Sequence, residues 1–343
     1  MSEVDRVDLA PGYSISRIIN GCWQLTPDHG GGPGSEKATH RIFAELVEHG
    51  FTSFDCADIY IGVEETLGNF RRSLSDPDSI QIHTKYAANR DTLHELTRKD
   101  IDAAVDRSLS RLGVERLDLL QYHWWNYDVP GLEKVTERLV RAQEIGKIRL
   151  LGVTNFDTAH VREIVASGAR IVSVQAQYSL LDRRPEKLMG SLAAEAGIAL
   201  LPYGALGGGF LSEKYLGVDA PEQMNRSLQK YRLIIDEFGG WDAFQSLLTL
   251  LAQIAGNHST SIAAVATRWV LDQPHVAAVI LGTGSKSRAT ENVGLSTLIL
   301  DEMEKKELAD LLQSQNIPPG DMYDLERDLD SPHSGIIKMN LHD

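Results

Sequence analysis

The sequence predicts an α/β protein folded as a (β/α)8 barrel. Three observations predict it: eight short runs rich in β-branched apolar residues, a segment of helical spacing after each, and a chain of 343 residues. Alternating strand and helix imply a parallel sheet, and eight repeats imply closure into a barrel, which typically needs about 250 residues. The excess length has visible places, described below.

The opening VDLAPGYSISRI sets Pro-Gly between two alternating stretches and reads as an N-terminal β-hairpin that plugs the barrel's lower end. Strands are expected at 18–21, 52–55, 80–84, 117–122, 148–153, 171–175, 199–202 and 277–281. Helices are expected at 36–48, 63–74, 97–112, 132–144, 158–166, 186–196, 241–255 running on through 262–271, and 286–293. Gly50, Gly113, Gly146, Gly168 and Gly197 punctuate the junctions as helix C-terminal glycines. Between strand seven and its helix, 205–240 is too long and too glycine-rich for an ordinary connection. A C-terminal extension occupies 301–343, either covering the barrel mouth or meeting another subunit. No linker divides the chain, so 1–343 reads as one domain.

Hydrophobic residues at 42% and charged residues at 24% exclude a disordered chain. A net charge of −14 disfavours a nucleic-acid surface, which needs clustered Lys and Arg. Cys22 and Cys56 are the only cysteines, too few for a disulfide framework and suited to a reducing compartment. The N-terminus lacks a secretory signal, and the most apolar windows fall short of the ~20 residues that cross a bilayer, so a cytoplasmic protein without membrane association is expected.

In such a barrel the chemistry sits where strands end. Strand two ends in Asp55 with Tyr60 five residues on, IQIHTKY delivers Lys85, and LDLLQYH delivers His123. Singly, each has an ordinary explanation: a helix cap, a packed phenol, a solvated charge, a satisfied imidazole. Together they suit protonation of an oxyanion. A phenol of pKa about 10 is a poor acid until an ammonium stabilises its phenolate, an aspartate keeps that ammonium charged, and an imidazole holds a carbonyl oxygen.

The motifs FDCADIYIGVEETLG, IHTKY, LDLLQYH, GVTNF, VQAQYSLLDR and LPYGALGGGFL follow one another along the chain. With them the sequence resembles the aldo-keto reductases from about residue 18 to about residue 292. The resemblance implies hydride transfer between NADPH, with NADH possible, and a small-molecule carbonyl or alcohol substrate. It makes Asp55, Tyr60, Lys85 and His123 the catalytic tetrad. Asn155 and Gln175 would hold the nicotinamide carboxamide, Thr154 stands at the family's usual serine, and Tyr203 would stack on the ring. Gly204, Leu206 and the run Gly207, Gly208, Gly209 would line the pyrophosphate, with 205–240 as a cofactor-covering loop whose Lys214, Arg226, Lys230 and Arg232 could reach phosphate. The adenosine end would fall on Gly282, Ser285, Lys286, Arg288, Glu291 and Asn292. Family members commonly carry a basic residue where this chain has Gly284, a departure that Arg288 could offset.

For the substrate, Trp23, which also borders the cofactor, and Trp124, Trp125 and Tyr127 are expected at the mouth, at least one of the paired tryptophans being packing. Trp241, Asp28, His29 and Asn126 could join them around a sugar-like or other polar carbonyl. No zinc-ligand spacing is present, and no metal is expected. Two other enzymes fit the same barrel: a Schiff-base aldolase on Lys85, or a metal held by Asp55 and His123. Both leave Tyr60, Asn155, Gln175 and Tyr203 without a joint purpose. The resemblance also extends to channel β-subunits, which keep fold and cofactor as regulators. Natural substrate, reaction direction and oligomeric state stay open.

Overall fold

A computed structural model describes residues 4–27, 32 and 34–336. The hairpin pairs β1 (Arg6–Ala10) with β2 (Tyr13–Ser16), turning through Gly12 at φ 69°. Eight parallel strands follow: β3 (Ile18–Gly21), β4 (Ser53–Asp55), β5 (Gln81–Ala87), β6 (Leu117–His123), β7 (Ile148–Thr154), β8 (Ile171–Gln175), β9 (Ala199–Leu200) and β10 (Val279–Gly282). They neighbour one another in the order β10-β3-β4-β5-β6-β7-β8-β9. Hydrogen bonds from Ala277 N to Leu200 O (3.1 Å) and Ile280 N to Pro202 O (2.8 Å) close the ring. The expected fold class is the one observed.

Around the sheet run α1 (Glu36–Glu48), α2 (Val63–Ser73), α3 (Arg98–Leu112), α4 (Leu132–Glu144), α5 (Thr158–Ala166) and α6 (Leu188–Ala196). Thr97, read as helical, instead caps α3 in a reciprocal box with Asp100. Two expectations need correction. The segment 205–240 is not simply a loop: it contains α7 (Arg226–Phe238), started by Asn225 accepting from Leu228 N at 2.9 Å. Its buried face, Tyr231, Ile234, Ile235 and Phe238, keeps helical period, a signal overshadowed by the glycine-rich run that precedes it. The long helix over 241–271 is also two, α8 (Gly240–Asn257) and α9 (Ile262–Leu271). They separate at Ser259, which adopts φ 50°, and Ser261 then caps α9. After β10 come α10 (Ala289–Val293), shorter than expected, α11 (Glu302–Gln313) and α12 (Asp324–Arg327).

The ends of the barrel are both covered. Below, Leu9, Tyr13 and Ile15 of the hairpin pack on Ile19, Leu119, Leu201 and Ile280, as a plug should. Above, the C-terminal extension crosses the mouth: Asp321 accepts from Thr158 N (2.7 Å), and Arg327 donates to Asn155 O (2.6 Å) and Trp124 O (3.0 Å). Of the two open placements for the extension, residues 321–327 take the mouth. Among the described residues no helix is long and apolar enough to cross a membrane.

Candidate active site

β4, β5 and β6 are neighbours, so their C-terminal ends bring Asp55, Lys85 and His123 to one rim. Lys85 Nζ donates to Asp55 Oδ1 and to Cys56 O (2.8 Å). The other Asp55 oxygen accepts from Gln175 Nε2 (2.7 Å) and Gln121 Nε2 (3.4 Å). Burial alone would lower the Lys85 pKa, but Asp55 and Tyr60 overcome it and hold the amine above its ordinary value, so it is a permanent ammonium.

Tyr60 sits on the turn after β4, its amide bonded to Ala57 O at 3.0 Å. Lys85 Nζ lies 5.2 Å from the centre of its ring, and Trp23 meets that ring edge-on with centroids 4.8 Å apart. Phenol and ammonium therefore share one small site. The expected net lowering of the phenol's pKa is not found: burial pushes it up to about 12, and Lys85 only pulls against that rise.

His123 Nδ1 bonds Thr154 O at 3.0 Å, while Nε2 is buried with no partner among the described residues. Burial, aided by Arg327, lowers the imidazole to about 3, so the ring is neutral. A carbonyl oxygen only accepts, so the single ring proton belongs on Nδ1 and Nε2 presents a lone pair. A nitrogen in that state accepts a hydrogen bond and does not donate one. Trp125 and Tyr323 wall the ring at 4.4 and 5.5 Å.

The residues expected to hold a dinucleotide line the same mouth, several already engaged. Asn155, at φ 59°, accepts from Tyr203 OH at 2.8 Å, and Gln175 gives its amide nitrogen to Asp55. Lys230 of α7 lies 3.5 Å from the Tyr203 hydroxyl and 3.7 Å from Glu326. Arg232 pairs with Asp236, and Lys214 lies over the Tyr215 ring. A Cβ on Gly204 or Gly208 would come within 2.5 or 2.4 Å of Tyr231, so α7 itself requires those glycines. Leu206 is half-buried, while Gly208 stays exposed at the rim. Gly282 at the end of β10 and Ser285, Lys286, Arg288 and Glu291 beyond it are exposed and Asn292 is half-buried, with no ion pair to Lys286 or Arg288 among the described residues.

Of the aromatic candidates, Trp125 donates to Ala88 O (2.6 Å) beside His123, and Tyr127 stacks on His160 at 3.4 Å beneath the Arg327 guanidinium. Trp124 departs from the substrate-lining expectation: 1% exposed and bonded to Val129 O, it is core. Trp241, at the start of α8, packs against Phe210 and Phe244. Asn126 closes a turn onto Asp128 N, while Asp28 and His29 lie outside the described residues.

Sequence reasoning missed the upper cover. Buried Glu326 joins Arg184 (3.3 Å) and Lys230, and Arg184 also pairs with Asp182 at 2.7 Å. Tyr323 takes φ 66°, a strained left-handed conformation for a tyrosine, to face His123. The one available signal was DMYDLER, an aromatic and four charges in a short stretch of tail.

Against known proteins, the aldo/keto reductase family profile matches residues 17–313. A probable aldo-keto reductase of Glycine max is 27% identical, with 91% of this chain and 90% of that protein covered. The NADP(+)-designated aldo-keto reductase yakc of Schizosaccharomyces pombe is 28% identical over 90% and 93%. The solved glycerol dehydrogenase of Gluconobacter oxydans superposes with a TM-score of 0.75 at 25% identity, covering 93% of this chain and 97% of that one. The barrel, the rim and these likenesses agree, and the chain belongs to the aldo/keto reductase family.

Proposed function

We propose that this protein is an NAD(P)H-dependent carbonyl reductase that uses Tyr60 as its proton donor on an aldehyde, ketone or sugar-derived carbonyl. The observation that carries the reading is the meeting of the Tyr60 phenol with the Asp55-anchored Lys85 ammonium at the rim that also holds His123, whose buried Nε2 has no partner among the described residues. The residues present suit a dinucleotide. The Tyr203 ring and Asn155 amide fit a nicotinamide, exposed Gly208 leaves backbone open to a pyrophosphate, and Lys286 and Arg288, without an ion pair among the described residues, favour the extra phosphate of NADPH. When bound, the reduced dinucleotide supplies the hydride for the carbonyl carbon.

The chain's own groups handle the proton. With its pKa near 12, Tyr60 is protonated at neutral pH and donates as negative charge gathers on the substrate oxygen. Lys85 stabilises the phenolate left behind, and Asp55, itself fixed by Gln175 and Gln121, holds Lys85 charged and in place. His123 Nε2 accepts the hydroxyl so formed. A permanently charged Lys85 is the opposite of the free amine a Schiff-base aldolase needs. Tyr60→Phe tests the assignment: turnover should fall by ~10²–10⁴-fold while NADPH binding, followed by fluorescence, persists. Undiminished turnover removes Tyr60 from the role.

A further inference from the structure

We propose that Arg327 recognises an anionic group on the substrate, and that the carbonyl compound taken by this site carries a carboxylate. The proposal rests on the carbonyl-reductase reading above and narrows its substrate class.

Three cations are set into the upper cover, and two have acidic partners. Arg184 pairs with Asp182 and Glu326, and Lys230 reaches Glu326. Arg327 has no acidic partner among the described residues. Its Nη2 is held by the carbonyls of Trp124 and Asn155, but Nε and Nη1 are buried without any hydrogen-bond partner. A guanidinium does not shed its proton, so donor nitrogens enclosed in this way stay unsatisfied until an acceptor arrives.

The location says which acceptor would be useful. The guanidinium lies over the Tyr127 ring at 4.2 Å and over Tyr323 at 5.1 Å, and the Tyr323 ring is 5.5 Å from that of His123. Both carbonyls holding Nη2 belong to residues adjoining His123 and Thr154 in the chain. Arg327 thus stands one aromatic ring away from the nitrogen expected to meet the reacting oxygen. An oxo acid with a spacer long enough to pass the Tyr323 ring reaches both ends, with its carbonyl between Tyr60 and His123 and its carboxylate in charge-assisted hydrogen bonds to the free guanidinium nitrogens. The flanking tyrosine faces exclude water and strengthen those bonds. A phosphate ester offers related chemistry, so the test separates the two.

The full-length protein with NADPH is assayed on 4-formylbenzoate and on its neutral methyl ester, and on glyceraldehyde 3-phosphate and glyceraldehyde. The wild type should prefer the acid to the ester by about tenfold or more in kcat/KM, Arg327→Met should bring that ratio to about one, and Arg327→Lys should retain part of it. Calorimetric titration with benzoate, with and without NADP+, should show binding weakened about tenfold in Arg327→Met. Equal use of acid and ester by the wild type overturns the proposal. So does a variant that loses both substrates in parallel, the mark of a purely structural arginine. Preference for the phosphorylated aldehyde with none for the carboxylate overturns the carboxylate assignment. If no carbonyl compound is reduced yet benzoate binds in an Arg327-dependent way, the reductase reading fails and the anion site stands.

Discussion

Two covers close this barrel, one at each end, and they are built of opposite materials. The lower one is the local hairpin, whose Ile15 is wholly buried against Ile19 and Leu119. The upper one comes from α7 and the distant C-terminal extension, and brings Lys230, Glu326 and Arg327 together with Tyr203, Tyr231 and Tyr323. Apolar burial is non-directional and gains nothing by opening. A buried ion network adds little net stability over an apolar one, but its partners can be exchanged for those of a ligand. The lower end is therefore where the fold is held shut, and the upper end is where the molecule can trade contacts.

Substitutions at the two ends should separate these roles. Ile15→Ala leaves a hole in the lower plug and should cost about 2–5 kcal/mol of stability in denaturant unfolding, with kcat per folded molecule unchanged. A loss of kcat equal to that of an upper-end variant would erase the distinction. Glu326→Gln removes the shared partner of Arg184 and Lys230 and should act locally. Amide exchange across 321–336 should quicken and KM rise several-fold, while β3 to β8 keep their protection. Uniform loss of protection would mean that the upper cover is as integral as the hairpin.

Acidity gives the smallest effect, and its absence is the prediction. The upper site holds its imidazole at about 3 and its phenol at about 12, so neither titrates near neutrality. The kcat/KM for reduction should vary less than about twofold between about pH 6 and about pH 8.5, without the step near 6.5 of an ordinary histidine. His83, beside Tyr13 in the lower end, is likewise held at about 3 by burial. A step near 6.5 would show that the upper site admits water where the lower does not.

The same contrast marks what the sequence could reveal. The hairpin, the strand ends and the residues at 55, 60, 85 and 123 were legible because period-two alternation, turn residues and motif spacing are local signals. α7 keeps helical period but follows a glycine-rich run that reads as loop, and Arg327 was hidden because its meaning depends on Trp124 and Asn155, some 200 and 170 positions away. The net acidity of Tyr60 also escaped: a nearby ammonium can be read from the chain, but the depth of burial opposing it cannot. The proton on His123 was equally out of reach, since only the distance to Thr154 O decides which nitrogen carries it.

The central claim is that the upper end reduces carbonyl groups with a nicotinamide dinucleotide. It is tested most directly by following NADPH and NADH oxidation by the purified protein against aldehydes, ketones and sugar-derived carbonyls, with the alcohol product identified. The expected result is aldehyde-dependent oxidation, faster with NADPH, yielding alcohol in equal amount. Tight dinucleotide binding with no carbonyl reduced would contradict it and leave a cofactor-bound binding protein in its place.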